Sequence, residues 1–137
     1  MGKRDEADEQ LMEAARRAAT NSHSPYSRFR VGAAVRGAAG VYAGANVENA
    51  SYGLTLCAER AALAAAVSAG DRRISSVAIA CIDASAEQGR SEKLPCGACL
   101  QWIQELAPEA RILVDGMADA FGLDELLPLP FKLGPRE

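Results

Sequence analysis

Two short segments hold the residues best suited to chemistry: Cys57-Ala58-Glu59 and Pro95-Cys96-Gly97-Ala98-Cys99. Each opens a stretch that reads as a helix. A Cys-x-x-Cys at a helix start keeps both sulfurs close enough for one metal ion, and Cys57 supplies a third thiolate from a second helix start. Helix N-termini carry partial positive charge, which lowers thiol pKa and favours the metal-bound form. Three protein ligands with no fourth in sequence reach describe an open zinc site, one Zn2+ per chain, with a place left for water. Glu59 is too close to Cys57 to chelate from the same helix start. Its carboxylate can lean over the open position, as a general base towards water and then as an acid towards substrate.

Three thiolates leave the zinc centre formally at −1, which weakens its Lewis acidity. Arg60 directly follows Glu59 and is placed to donate to a ligand sulfur, withdrawing charge from the ligand shell. A closed structural zinc site would need a fourth ligand. The remaining cysteine, Cys81, sits in an apolar run and reads as a free buried core residue. His23, the sole histidine, reads as a solvated loop residue, and Trp102 as packing.

The elements that must position these residues follow from pattern. Asp5 to about Thr20 reads as an amphipathic helix with Leu11, Met12, Ala15, Ala18 and Ala19 on one face. Phe29–Gly37 and Val41–Val47 read as a hairpin joined through Ala38-Ala39-Gly40. Cys57–Ala69 reads as a helix ending at Gly70, and Ser76–Ile82 as a central strand. Asp83 to Lys93 reads as a mobile polar loop. Gly97–Ala107 then reads as a helix stopped by Pro108, Arg111–Val114 as a strand, Ala118–Phe121 as a weak strand and Leu123–Leu127 as a helical turn. The sum is a single α/β domain over 1–137, a mixed sheet with helices on its faces. The strand–helix–strand unit ending at Val114 should be parallel and right-handed. Residues 1–4 and 133–137 are expected to be flexible.

At 137 residues, with 49% hydrophobic and 24% charged, the chain has the balance of a soluble globular domain rather than a disordered one. A domain of this size buries about 68% of its unfolded surface and needs no disulfides. The net charge of −3 with scattered Lys and Arg offers no basic face, which argues against nucleic-acid partners. No apolar run approaches the roughly 18 residues of a membrane span, and the charged start is no secretory signal. The expected compartment is the cytoplasm, where cysteines stay reduced.

Taken together, Ser24-Pro25-Tyr26-Ser27, Phe29-Arg30-Val31-Gly32-Ala33-Ala34, Asn46-Val47-Glu48-Asn49-Ala50-Ser51-Tyr52, Cys57-Ala58-Glu59-Arg60 and Pro95-Cys96-Gly97-Ala98-Cys99 resemble the small zinc-dependent cytidine deaminases, over about Ser24 to Phe131. The resemblance implies a three-layer α/β/α fold with a mixed central sheet. It also implies hydrolytic deamination of cytidine and 2′-deoxycytidine, with Glu59 as proton shuttle. Phe29, Asn46 and Glu48 would line the nucleoside pocket; Ala50, Tyr52, Ala58 and Phe131 would contact substrate, with Pro95 and Arg60 behind the ligands. Asn46 and Glu48 are i and i+2 at a strand end, so both can face one way and hold ribose hydroxyls. The chain departs from the family at Leu94 and Leu100, where Ser and Arg are usual, implying an apolar rim near the metal.

The resemblance further implies a homotetramer in which a tail Phe covers a neighbour's pocket. The apolar tail Leu126-Leu127-Pro128-Leu129-Pro130-Phe131 suits an interface. Alternatives are a deaminase or N4-deacylating hydrolase of modified cytosine nucleosides, or of a blasticidin-type aminopyrimidine nucleoside, and a non-catalytic zinc-binding module. Polynucleotide editing is disfavoured, because the seven aromatic residues are scattered rather than stacked in a platform.

Overall fold

The structure is a computed structural model describing residues 1–85, 89 and 91–134. Its elements run α1 (Glu6–Ala19), β1 (Val31–Arg36), β2 (Val41–Ala45), α2 (Ala58–Ser68), β3 (Ser76–Cys81), α3 (Gly97–Leu106), β4 (Arg111–Val114) and α4 (Leu123–Leu126). The sheet order is β2-β1-β3-β4. β1 pairs antiparallel with β2 and β3, while β3 and β4 are parallel, as the strand–helix–strand reading expects. Each helix ends where its sequence signals lie. Asp5 caps α1 through a capping box with Asp8, and Gly70 follows α2 in the left-handed region at φ +85°.

Strand alternation sorts side chains onto two faces. Ala34, Ala78, Ala80 and Leu113 face α1, packed with Leu11, Met12 and Ala15. Ala33, Val35, Val77, Ile79, Ile112 and Val114 face the other way, with Ala62, Leu63 and Ala66 of α2 and Ile103 of α3. This is the three-layer α/β/α arrangement. Two glycines set its thickness: a Cβ on Gly32 would lie 1.9 Å from the Ala15 carbonyl oxygen, and one on Gly44 2.6 Å from the Ala62 amide. Both helices therefore press directly on strand backbone, which only Gly permits.

Two expectations are corrected. Residues 1–4 are tied down rather than loose. The Ala120 amide donates to the Gly2 carbonyl, Arg111 to the Met1 carbonyl, and Arg4 to the carbonyls of Val114 and Met117. Residues 118–121 do not form a strand; they make only isolated bridges, Lys3 with Asp119 and Ile112 with Phe121. The 83–93 segment is anchored at both ends, by a bidentate ion pair of Arg30 with Asp83 and a 3-10 turn over Ser91–Lys93. Residues 86–88 and 90 of that segment, and 135–137 of the expected flexible tail, lie outside the described residues.

The buried Asp8 carboxylate joins α1 to β4 through a 2.6 Å ion pair with Arg111. Burial pushes the Asp8 carboxyl up, but the hydrogen bond and charge of Arg111, the Asp5 amide and the Arg4 charge outweigh it and hold it below the usual range. A depressed carboxylate stabilises the fold fully above its unfolded value and loses that contribution as pH falls through the folded one. Asp8→Asn should therefore cost about 1–3 kcal/mol at pH 7. The difference from wild type should shrink below about pH 4, read as urea midpoints across a pH series.

Candidate active site

Cys57 and Cys96 are the N-cap residues of α2 and α3. At a helix start the N-cap and N3 side chains face each other, the geometry of a capping box. On α3 the N3 residue is Cys99, and the two sulfurs are 3.6 Å apart. On α2 it is Arg60, whose Nη2 donates to Cys57 Sγ at 3.3 Å. The sulfur contact expected for Arg60 is thus present. Because α2 and α3 share one face of the sheet, their starts converge, and the Cys57, Cys96 and Cys99 sulfurs all lie within 4.8 Å of one another. Tetrahedral Zn–S bonds of about 2.3 Å set sulfurs about 3.8 Å apart. The three soft donors fit that geometry.

Electrostatics follow from the same convergence. The hydrogen bond from Cys99 and the charge of Arg60 outweigh burial and draw the Cys57 thiol down to about 5. Glu59, at the second position of α2, is 5% exposed. Burial pushes its carboxyl up, with the Cys57 charge adding to the effect. A carboxyl raised in this way is suited to carrying a proton near neutral pH.

Glu59 opens onto a cavity of about 280 Å³ at the carboxyl end of β3. Its wall includes Phe29, Asn46, Glu48, Cys57, Ala58 and Cys96. Asn46 is 8% exposed and largely committed to backbone. Its Oδ1 accepts from the Val31 amide and the Ser22 hydroxyl, and its Nδ2 donates to the Phe29 carbonyl at 2.9 Å. A side-chain amide has two N–H donors, so one remains. Glu48 Oε1 accepts from the Tyr26 and Ser27 amides, each at 3.0 Å, and Oε2 accepts from the Ser27 hydroxyl. Those Ser27 contacts, with the Tyr26 amide and the nearby His23, outweigh burial and hold the Glu48 carboxyl below its ordinary value.

The structure also separates residues that the sequence reading grouped. Ala50, Tyr52 and Phe131 lie outside this wall and are exposed, Phe131 at 69%. Tyr52 meets Tyr26 edge to face at 5.8 Å, beside an adjoining cleft that shares Ser27, Glu48 and Thr55. Pro95 is buried directly ahead of Cys96, where its fixed φ sets the entry to α3. Leu94 lines the cavity, whereas Leu100 packs in the core, because three residues past the α3 start the helix face has turned inward. The apolar rim is therefore Leu94 alone of the two. Cys81 is only half-buried and also lines the cavity, its thiol pushed up by burial to about 11. His23 has an exposed side chain, but its backbone pairs with the 46–48 segment. Ser27, Val31, Thr55, Ile79, Glu92 and Lys93 complete the wall. No spacing rule marks them, since they come from separate segments of the chain, with only Glu92 and Lys93 sharing one turn.

Comparison with known proteins agrees with this geometry. The family model for the cytidine and deoxycytidylate deaminase zinc-binding region matches residues 5–114. The chain is 44% identical over 122 residues to a cytidine deaminase of Mycobacterium tuberculosis (strain ATCC 25618 / H37Rv), covering 82% of this chain and 87% of that one. It is 42% identical over 126 residues to a cytidine deaminase of Halalkalibacterium halodurans, covering 88% and 91%. Among solved structures, cytidine deaminase from M. tuberculosis superposes with TM-score 0.80 at 40% identity, over 94% of this chain and 100% of that one. The enzyme from Burkholderia pseudomallei superposes with TM-score 0.79 at 38% identity, over 90% and 98%. The chain belongs to this family of zinc-binding deaminases.

Removing one of three sulfurs leaves too few ligands to hold the metal. Cys96→Ala should retain less than about a tenth of the wild-type zinc per chain, measured by elemental analysis after dialysis.

Proposed function

We propose that this protein hydrolyses the exocyclic amine of cytidine and 2′-deoxycytidine, releasing uridine or 2′-deoxyuridine and ammonia. The observation that carries this reading is a buried carboxyl, Glu59, facing a three-sulfur cluster at the end of a nucleoside-sized cavity. Cys57, Cys96 and Cys99 would hold a zinc ion, which would supply the Lewis acidity that activates a water towards C4 of the base. Glu59 would take one proton from that water and pass it to N3, then take the second from the new C4 hydroxyl and deliver it to the departing amine, leaving the C4 carbonyl and ammonia. Its burial keeps bulk water from competing for the proton. Arg60 tempers the negative charge of the thiolate cluster through Cys57.

Sugar recognition follows from what Asn46 and Glu48 have left to give. Asn46 has one free N–H donor, and Glu48 one unused acceptor site beyond its three bonds. A donor and an acceptor side by side match a single hydroxyl, which accepts from one and donates to the other. One hydroxyl suffices, so the ribo- and deoxyribonucleoside both fit, and a free base loses the contact. A carboxylate at the sugar disfavours a phosphate there.

The active unit is read as a cytoplasmic homotetramer. Leu129 and Phe131 are 92% and 69% exposed in the single chain, and Gln101 Nε2 holds the Phe131 carbonyl at 3.0 Å. The tail is thus fixed at its backbone while its ring projects outward. Ala64, Val67, Trp102 and Leu106 line an apolar groove of about 490 Å³ between α2 and α3, a second surface that suits burial between copies. No helix among the described residues is long and apolar enough to cross a membrane.

Glu59→Gln keeps the shape of the carboxyl but cannot titrate. It should bind a full equivalent of zinc while kcat falls by at least about 10²-fold, followed by the loss of cytidine absorbance. Phe131→Ala should raise KM with zinc and fold intact. Mixing its subunits with Glu59→Gln subunits should restore measurable activity, because an intact ring and an intact carboxyl then meet across a subunit boundary. No recovery in verified mixed oligomers means the site is built within one chain.

A further inference from the structure

The Ser27 hydroxyl makes two bonds on the cavity wall, donating to Glu48 Oε2 and accepting from the Phe29 amide at 3.0 Å. The other carboxylate oxygen, Oε1, is held by the Tyr26 and Ser27 backbone amides. The turn that presents these donors is closed by the Arg28 amide donating to the Ser24 carbonyl at 2.9 Å. It places Arg28 in the left-handed region, at φ +55°. Non-glycine residues persist there only where the surroundings over-determine the backbone, and the Ser27–Phe29 bond spans that residue.

Rotation of a carboxylate about its terminal bond is soft, with broad minima. Backbone amides on Oε1 alone leave the plane free to swing about that oxygen. Only the Ser27 hydroxyl, among the described residues, holds Oε2, and with both oxygens held the remaining acceptor site has one direction. The Asn46 amide meanwhile grips the Phe29 carbonyl. Phe29 is therefore tied at its N–H through Ser27 to Glu48 and at its C=O to Asn46, which links the ring wall to both sugar-facing groups.

We propose that Ser27 is the positioning residue of the sugar site, its hydroxyl aiming the Glu48 carboxylate at the substrate hydroxyl and tying that aim to the Phe29 wall. This rests on the reading of Glu48 as the acceptor for a sugar hydroxyl. Ser27 does not approach the three sulfurs or Glu59 in bonding distance, so its loss acts on binding and leaves the proton transfers in place.

The test is steady-state kinetics with cytidine for Ser27→Ala, Ser27→Thr, Glu48→Ala and the Ser27→Ala/Glu48→Ala pair, each with zinc content and thermal midpoint measured. Losing a hydrogen bond to a charged group should raise KM about tenfold in Ser27→Ala, with kcat within about twofold of wild type. Ser27→Thr retains the hydroxyl and should return KM to within about threefold of wild type. On the Glu48→Ala background, Ser27→Ala should add less than about twofold, because the group it aims is gone. If Ser27→Ala does not fold, Ser27→Cys, a near-isostere with a weaker donor, should give an intermediate rise in KM. An unchanged KM in Ser27→Ala, a failure of Thr to rescue, or an undiminished effect on the Glu48→Ala background overturns the proposal. If Glu48→Ala raises KM and Ser27→Ala does not, only the positioning role falls. If Glu48→Ala itself leaves KM unchanged, the sugar-acceptor reading falls and this inference with it.

Discussion

Everything in this molecule that bears on chemistry depends on bringing the N-termini of α2 and α3 to one point. Thiolates repel one another and are costly to crowd, so three sulfurs within 4.8 Å need compensation from their surroundings. Two helix starts provide it through backbone N–H groups and aligned dipoles, and Arg60 adds a full charge at Cys57. The same N-cap to N3 spacing serves twice, pairing Cys96 with Cys99 and Cys57 with Arg60. On α2 the N3 position carries the compensating charge, and on α3 it carries the third ligand.

The sheet exists, for functional purposes, to hold those two starts in register. α2 lies against β1 and β2, and Gly44 lets its backbone approach the strand. α3 is carried by the crossover between the parallel strands β3 and β4, which places its start at the carboxyl end of β3, where α/β folds commonly bind ligands. Small residues on the opposite face, Ala34, Ala78 and Ala80, admit α1 closely. That layer has no part in the site. It closes the core, and the Asp8–Arg111 ion pair fastens it to β4.

A second constraint shapes the Asn46–Glu48 end of the cavity. Asn46 and Glu48 each make two bonds to backbone and one to a serine hydroxyl, gripping the 29–31 segment and the turn at Tyr26–Ser27. Such residues are preorganised, because the bonds that hold them are made before substrate arrives. What remains exposed is narrow in chemistry: one donor and one acceptor. On the proposed reading, selectivity at this end comes from how little is left unpaired.

Local spacing is enough to read the three-cysteine cluster with the buried Glu59 beside it, the Arg60 contact and every α-helix within about two residues of its observed ends. Each of these depends on neighbours three or four positions away, or on a cap whose residue type is diagnostic. That Asn46 and Glu48 share the cavity wall follows from the same kind of spacing, whereas the bonds that hold them to the 22–31 segment do not. Side chains whose fate depended on distant partners were misread. Leu100 shares the helix of the ligands yet turns into the core, Cys81 reads as core yet reaches the cavity, and residues 1–4 look loose until Arg111 and the 118–120 segment bind them. Ser27 is the sharpest case. Its hydroxyl gains meaning only because the chain leaving β2 at Ala45 returns past the 24–29 turn and sets Glu48 beside it, 21 positions away in the chain, a contact that exists only once the sheet has formed.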